Sequence, residues 1–82
     1  MTKSTTSKKY DLLRELLIEA RKDAGLTQVD VADRLGRTQA YISRYENGSR
    51  RLDVIEFFEI AEVIGFNPLV LLRKLYAAWP NR

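Results

Sequence analysis

Cysteine and histidine are both missing from this chain of 82 residues. Without thiols there is no disulfide to staple the fold. Without thiolate or imidazole, the usual sulfur, nitrogen and His-carboxylate metal sites are excluded. The four glycines are scattered rather than gathered into a phosphate-cradling loop. Catalysis would have to rest on carboxylates, and pairs such as Asp30 and Asp33 fall on an exposed helix with nothing to shift their pKa. The expectation is a protein that is not an enzyme and needs no cofactor. Apolar runs are short, none nearing the roughly 18–20 residues of a membrane span. The N-terminal MTKSTTSKKYD carries no apolar stretch of the kind a signal peptide needs. These absences point to a soluble, cytoplasmic protein with no membrane association.

What is present is globular in composition, 45% hydrophobic and 30% charged, and short enough for one domain. A chain of this size buries only about 60–65% of its unfolded surface, so its stability margin is thin. With no disulfide or metal to widen it, oligomerisation is the remaining device. The net charge of +3 matters less than its distribution. Arg34, Arg37, Arg44, Arg50 and Arg51 crowd the middle of the chain, opposed only by Glu46. From Leu52 to Leu72 the charges before Arg73 are Asp53, Glu56, Glu59 and Glu62, all acidic. One face is suited to phosphate and another avoids it.

Residues 1–10 are rich in Ser, Thr and Lys and read as a flexible basic tail, either an inert leader or an arm touching DNA phosphates. The domain is expected over 11–79. A first helix runs from Asp11, its N-cap, to about Ala24. Leu13, Leu16, Leu17, Ala20 and Ala24 form its apolar stripe, Arg14, Arg21 and Lys22 lie off it, and Gly25 ends it. Thr27 caps a helix over 28–35 that stops at Gly36, with Asp30 at its positive end. Thr38 caps a third helix, 38–46 with its cap, that stops at Asn47-Gly48. Asp53 caps a fourth that ends at Gly65, its apolar face given by Ile55, Phe58 and Ala61 with Phe57 and Ile64 beside them. Asn67-Pro68 opens the last helix, 68–79, in the order expected of N-cap and N1. No strand pattern appears, so the fold class is all-α with five helices.

The segment from Gln28 to Asn47 is two short helices joined by a glycine-containing turn, which is helix-turn-helix spacing. Ala32 is small where the helices cross, Gly36 sits where the turn needs positive φ, and Val31, Leu35, Ile42 and Tyr45 point to a shared interior. Gln39, Ser43, Arg44 and Glu46 leave the second helix polar, as a helix entering a major groove must be.

Leu26-Thr27-Gln28, Ala32, Gly36, Ile42-Ser43, Glu46 and Gly48 fall in the register of a known pattern. The chain resembles the Cro/lambda-repressor type of helix-turn-helix, the xenobiotic-response-element (XRE) family, from about Leu12 to Leu72. The resemblance implies a lambda-repressor-like fold and a regulator of transcription, a repressor by preference, that binds double-stranded DNA. It places Gln39, Ala40, Ser43 and Arg44 at base edges in the major groove. Arg44 matches guanine O6 and N7, and Gln39 matches adenine N6 and N7. Ala40 either touches a thymine methyl or reads nothing, and Arg44 has a phosphate clamp as its other role. The DNA backbone falls to Gln28, which also braces the recognition helix, and to Arg37, Thr38, Tyr41, Asn47, Ser49, Arg50 and Arg51. Arg50 and Arg51 have an ordinary solvated loop as their other reading, and Glu46 reads as a cap or a bridge to a nearby arginine rather than as a base contact.

The last helix carries more apolar side chains than one side of one helix buries in so small a domain. Leu72, Leu75, Tyr76 and Trp79 are therefore assigned to a two-fold homodimer interface, which would set two recognition helices about one DNA turn apart on a near-palindromic operator. The rival reading is an antitoxin or restriction-modification controller of the same fold whose main partner is another protein, such as a toxin. An RNA polymerase contact through Asp30 and Asp33 is a further expectation to be tested. RNA binding lacks the exposed aromatic cluster that stacks unpaired bases.

Overall fold

The computed structural model describes residues 7–79. These form five helices: α1 (Lys8–Asp23), α2 (Gln28–Leu35), α3 (Gln39–Asn47), α4 (Val54–Ile64) and α5 (Pro68–Ala77). There is no strand among the described residues, as expected. Each start is set by a residue whose side chain accepts a hydrogen bond from the first turn: Ser7, Thr27, Thr38, Asp53 and Asn67. At α2 and α4 the bond is reciprocated by Asp30 and Glu56, completing capping boxes.

The first helix begins three residues before the expected Asp11. Ser7 is its cap, and Asp11 instead pairs with Arg14 at 2.9 Å. Ser7 offers the same short acceptor to an extended backbone, and starting there buries Tyr10. The Tyr10 hydroxyl donates to the Arg50 carbonyl at 3.1 Å, tying the start of α1 to the loop after α3. Of the expected tail, residues 1–6 lie outside the described residues.

The core is shared by all five helices. It contains Leu17 of α1, Val31 and Ala32 of α2, Tyr41, Ile42 and Tyr45 of α3, Phe57, Ile60 and Ile64 of α4, and Leu71 of α5. α3 lies against α2 and α1, while α5 packs on α1 and α4. Gly36 takes φ 71° between α2 and α3, and a Cβ there would meet nothing within 4 Å, so the requirement is the backbone conformation and not space.

The inner face of α4 differs from the expectation. Phe57, Ile60, Ala61 and Ile64 are buried at i, i+3, i+4 and i+7, whereas Ile55 is 66% exposed and Phe58 39%. Eight of the eleven residues in α4 are apolar, so periodicity alone does not choose the stripe. Contact with α2 and α5 does.

Candidate nucleic-acid interface

α3 divides cleanly into two faces. Tyr41, Ile42, Tyr45 and Glu46 are buried. Gln39, Ala40 and Arg44 are exposed and Ser43 is half-buried. Both sets repeat as i, i+1, i+4 and i+5, the two sides of one helix. The four side chains expected at base edges therefore share the outward face. Thr38 caps the helix, accepting from the Tyr41 amide at 3.2 Å, and so opens the N-terminal end where a phosphate would meet unpaired N–H groups.

Glu46 does not stand on that polar face with the others. It is 5% exposed and accepts two hydrogen bonds from Arg21, Nε to Oε2 at 2.7 Å and Nη2 to Oε1 at 3.0 Å. A charge this deep is tolerated only when paired and hydrogen-bonded. The bridge to a nearby arginine, one of the two roles weighed for Glu46, is the one found. Arg21 also donates to the Leu26 carbonyl at 3.0 Å, and Arg14 donates to the Glu46 carbonyl. Sequence periodicity set Arg14 and Arg21 aside as residues off the apolar stripe. Nothing local in α1 signals that its neighbour would present a carboxylate and a carbonyl to them.

Gln28, at the first position of α2, donates from Nε2 to Glu46 Oε1 at 2.9 Å and accepts on Oε1 from Gln39 Nε2 at 3.2 Å. It thus braces both ends of α3.

Basic side chains flank α3 along the chain. The Arg37 and Arg50 guanidinium groups lie 4.5 and 4.9 Å from the Tyr41 ring centroid. Arg51 lies 5.0 Å from that of Tyr10. Tyr41 itself is 7% exposed, part of the core rather than a side chain standing out from the surface. Burial, and next the Glu56 carboxylate, raise the pKa of its hydroxyl. Arg50 forms a two-pronged pair with Glu56 at 3.1 and 2.8 Å. That pair, helped by the Asp53 amide, depresses the Glu56 carboxyl to about 2. Asn47 accepts from the Ser49 amide at 2.8 Å, closing the turn that leads out of α3. Arg34, counted in the basic run, turns away to the Val63 carbonyl at the end of α4, at 2.9 Å.

The expectation of unperturbed carboxylates on α2 needs correcting. The Thr27 amide, then its hydroxyl, lower the pKa of Asp30 through the capping box. Among the described residues no group of His, Cys, Asp or Glu could hold a metal ion, and no helix is long and apolar enough to cross a membrane.

Two short helices joined by a glycine turn, the second held to α1 by a buried ion pair and presenting a polar outer face with arginines at its flanks, define a helix-turn-helix DNA-binding domain. The helix-turn-helix family profile matches residues 17–71. The chain belongs to this family, in its XRE branch, whose members are DNA-binding regulators of transcription. It is similar to an uncharacterized HTH-type transcriptional regulator, y4dJ, of Sinorhizobium fredii, 38% identical over 52 residues, 63% of this chain and 68% of that one. Among solved structures, an XRE-family like protein from Pseudomonas syringae pv. tomato is 51% identical, with 88% of each chain covered and a TM-score of 0.82. A point mutant of the restriction-modification controller protein C.Esp1396I is 25% identical, with 87% of this chain and 95% of that one covered and a TM-score of 0.80.

Proposed function

We propose that the protein represses transcription in the cytoplasm by binding a near-palindromic operator in double-stranded DNA as a homodimer. The observation that carries this reading is the outward face of α3, where Gln39, Ala40, Ser43 and Arg44 stand together while the opposite side is buried in the core. Those four read bases. Gln28, Arg37, Thr38, Tyr41, Asn47, Ser49, Arg50 and Arg51 hold the sugar-phosphate backbone and set the register. With Tyr41 buried, its share of that work is to carry Arg37 and Arg50 on its ring. Arg50 reaches a phosphate by exchanging Glu56 for it.

The dimer reading is supported by where the exposed large apolar side chains lie. Of the seven among the described residues, Val54, Ile55, Phe58, Leu69, Val70 and Tyr76 belong to α4 or α5, and only Val29 does not. Of the residues first assigned to the interface, Tyr76 is 63% exposed, while Leu72, Leu75 and Trp79 are half-buried and add their remaining surface at its edge.

A restriction-modification controller is the second reading, favoured by the likeness to C.Esp1396I over nearly the whole of both chains. That protein has been solved as a tetramer on its natural 35-base-pair operator. In either reading Asp30 and Asp33, both exposed on α2, would be the side chains to meet RNA polymerase. A toxin partner would meet α5.

Selection from random duplex DNA at physiological salt, followed by sequencing, tests the proposal. The expected result is an inverted repeat with half-site centres about ten base pairs apart or a small multiple. Recovery of DNA without any shared motif would reduce the basic face to phosphate binding and sink the operator reading.

A further inference from the structure

The outer side of α4 carries an open cleft beside the start of α5. Ile55, Phe58, Glu59 and Glu62 line it at i, i+3, i+4 and i+7, one face of the helix, and Phe66 and Pro68 bound it where α4 turns into α5. Its floor is apolar and its rim holds two carboxylates. The outer face of α5 has the opposite charge. Leu69, Arg73 and Tyr76 repeat there at i, i+4 and i+7, and all three are exposed. Lys74, the next base, turns to the other flank of α5 and lines the gap against α1. Among the described residues, Glu59, Glu62 and Arg73 have no ion-pair partner within the chain. Two neighbouring apolar stripes therefore carry unneutralised charge, acidic on α4 and basic on α5.

In a two-fold dimer each copy offers the other the same surface, so these two helices can meet in three ways. Seating α5 on the partner's α5 brings Arg73 towards the partner's Arg73. Seating α4 on the partner's α4 brings four carboxylates together. Only the crossed pairing, α5 of each copy in the α4 cleft of the other, sets opposite charges together, and it does so twice. Exposed opposite charges add little affinity, but like charges at an interface are costly, so charge selects among arrangements that apolar surface alone would accept. We infer, on the homodimer reading above, that the α5 face of a second copy of this chain occupies the α4 cleft. Leu69 and Tyr76 cover the partner's Ile55 and Phe58, and Arg73 sits between the partner's Glu59 and Glu62. Apolar area supplies the affinity, and the three charges decide which helix meets which.

Sedimentation velocity of the full chain at tens of micromolar tests the pairing. The samples are the wild type, E59K/E62K, R73E, an equimolar mixture of those two variants, and the combined E59K/E62K/R73E. All three positions are exposed, so every variant should keep the wild-type circular dichroism spectrum. In the crossed dimer E59K/E62K makes both faces basic and R73E makes both acidic. Each alone should dissociate, its dimer Kd raised about 10-fold or more by the like charges. Mixing them should recover a dimer, since each variant now offers the other an opposite face. The combined variant exchanges the two signs and should dimerise by itself.

Reversal on one helix leaves like facing like in the α4–α4 and α5–α5 arrangements, as in the wild type. If E59K/E62K and R73E each dimerise as tightly as the wild type, the crossed pairing is wrong and the homodimer stands. If both dissociate while folded, yet neither the mixture nor the combined variant recovers a dimer, the three charges do not pair across the interface and the inference fails. If the wild type is itself monomeric at this concentration, the homodimer reading fails and takes the inference with it.

Discussion

Arg44 and Arg37 carry the same charge yet are asked to do different work. Arg44 stands exposed on the outer face of α3, with its guanidinium suited to a guanine edge. Arg37 lies before the helix, against Tyr41, where it can steady only the backbone. Arg44→Ala should therefore cost about 1–3 kcal/mol on the preferred site and relax one base position. Arg37→Ala should weaken all DNA about equally and lower the slope of log affinity against log salt by about one unit. Fluorescence titrations on matched and scrambled duplexes across a salt series distinguish the two. Similar behaviour of both variants on all sequences would refute the division of roles.

Glu56 makes a prediction at the same scale. Its carboxyl sits at about 2 in the folded protein, against an ordinary value of 4.5, chiefly because Arg50 grips it. A depressed folded pKa gives stability that is present above the unfolded value and lost as pH falls from about 4.5 towards about 2. Denaturation followed over that window should show stability falling with acid. Glu56→Gln keeps a capping-box residue at that position but removes the titrating charge, and should flatten its share of the slope. The same variant loosens Arg50, so binding to duplexes of any sequence should tighten and gain salt dependence. An unchanged acid slope in Glu56→Gln would mean the pair contributes nothing to stability.

At the scale of elements, starts and stops were legible and faces were not always. Caps and breakers act through the backbone of their own neighbourhood, so Thr27, Gly36, Thr38, Asp53, Gly65 and Asn67 mark real boundaries. Asp11 misled because Ser7, an equally good acceptor, precedes it in a stretch whose periodicity is weak. The turn between α2 and α3 puts a cost on its own glycine: Gly36→Ala places a side chain at φ 71°, a strain of about 1–2 kcal/mol with no accompanying clash. The midpoint of thermal unfolding should drop, base preference should survive at temperatures where the variant is folded, and Gly36→Asn should be milder. A shift in selected sequence for Gly36→Ala would instead show that the turn positions α3 as well as permitting it.

For the whole molecule, the outer surface of α4 and α5 is the feature that a monomer leaves unexplained. Leu69 is 61% exposed, so Leu69→Glu should leave the monomer folded. It should shift sedimentation from dimer to monomer at tens of micromolar and weaken binding to the two-half-site operator far more than to a single half-site. A wild type already monomeric at that concentration would count against the dimer outright.

The amino-acid order by itself determined the all-α class, the five helices, the spacing of the helix-turn-helix and which residues of α3 are polar. Each of these follows from caps, breakers and periodicity within a few neighbouring positions. Only the tertiary structure decided which stripe of α4 is buried, that Tyr10 and Tyr41 are core, and that Glu46 belongs to Arg21 and Gln28 rather than to the groove-facing set. Those outcomes depend on which helix arrives from far along the chain. A buried carboxylate and an exposed one look alike in sequence until the arginine that neutralises it, 25 positions away, is brought to 2.7 Å.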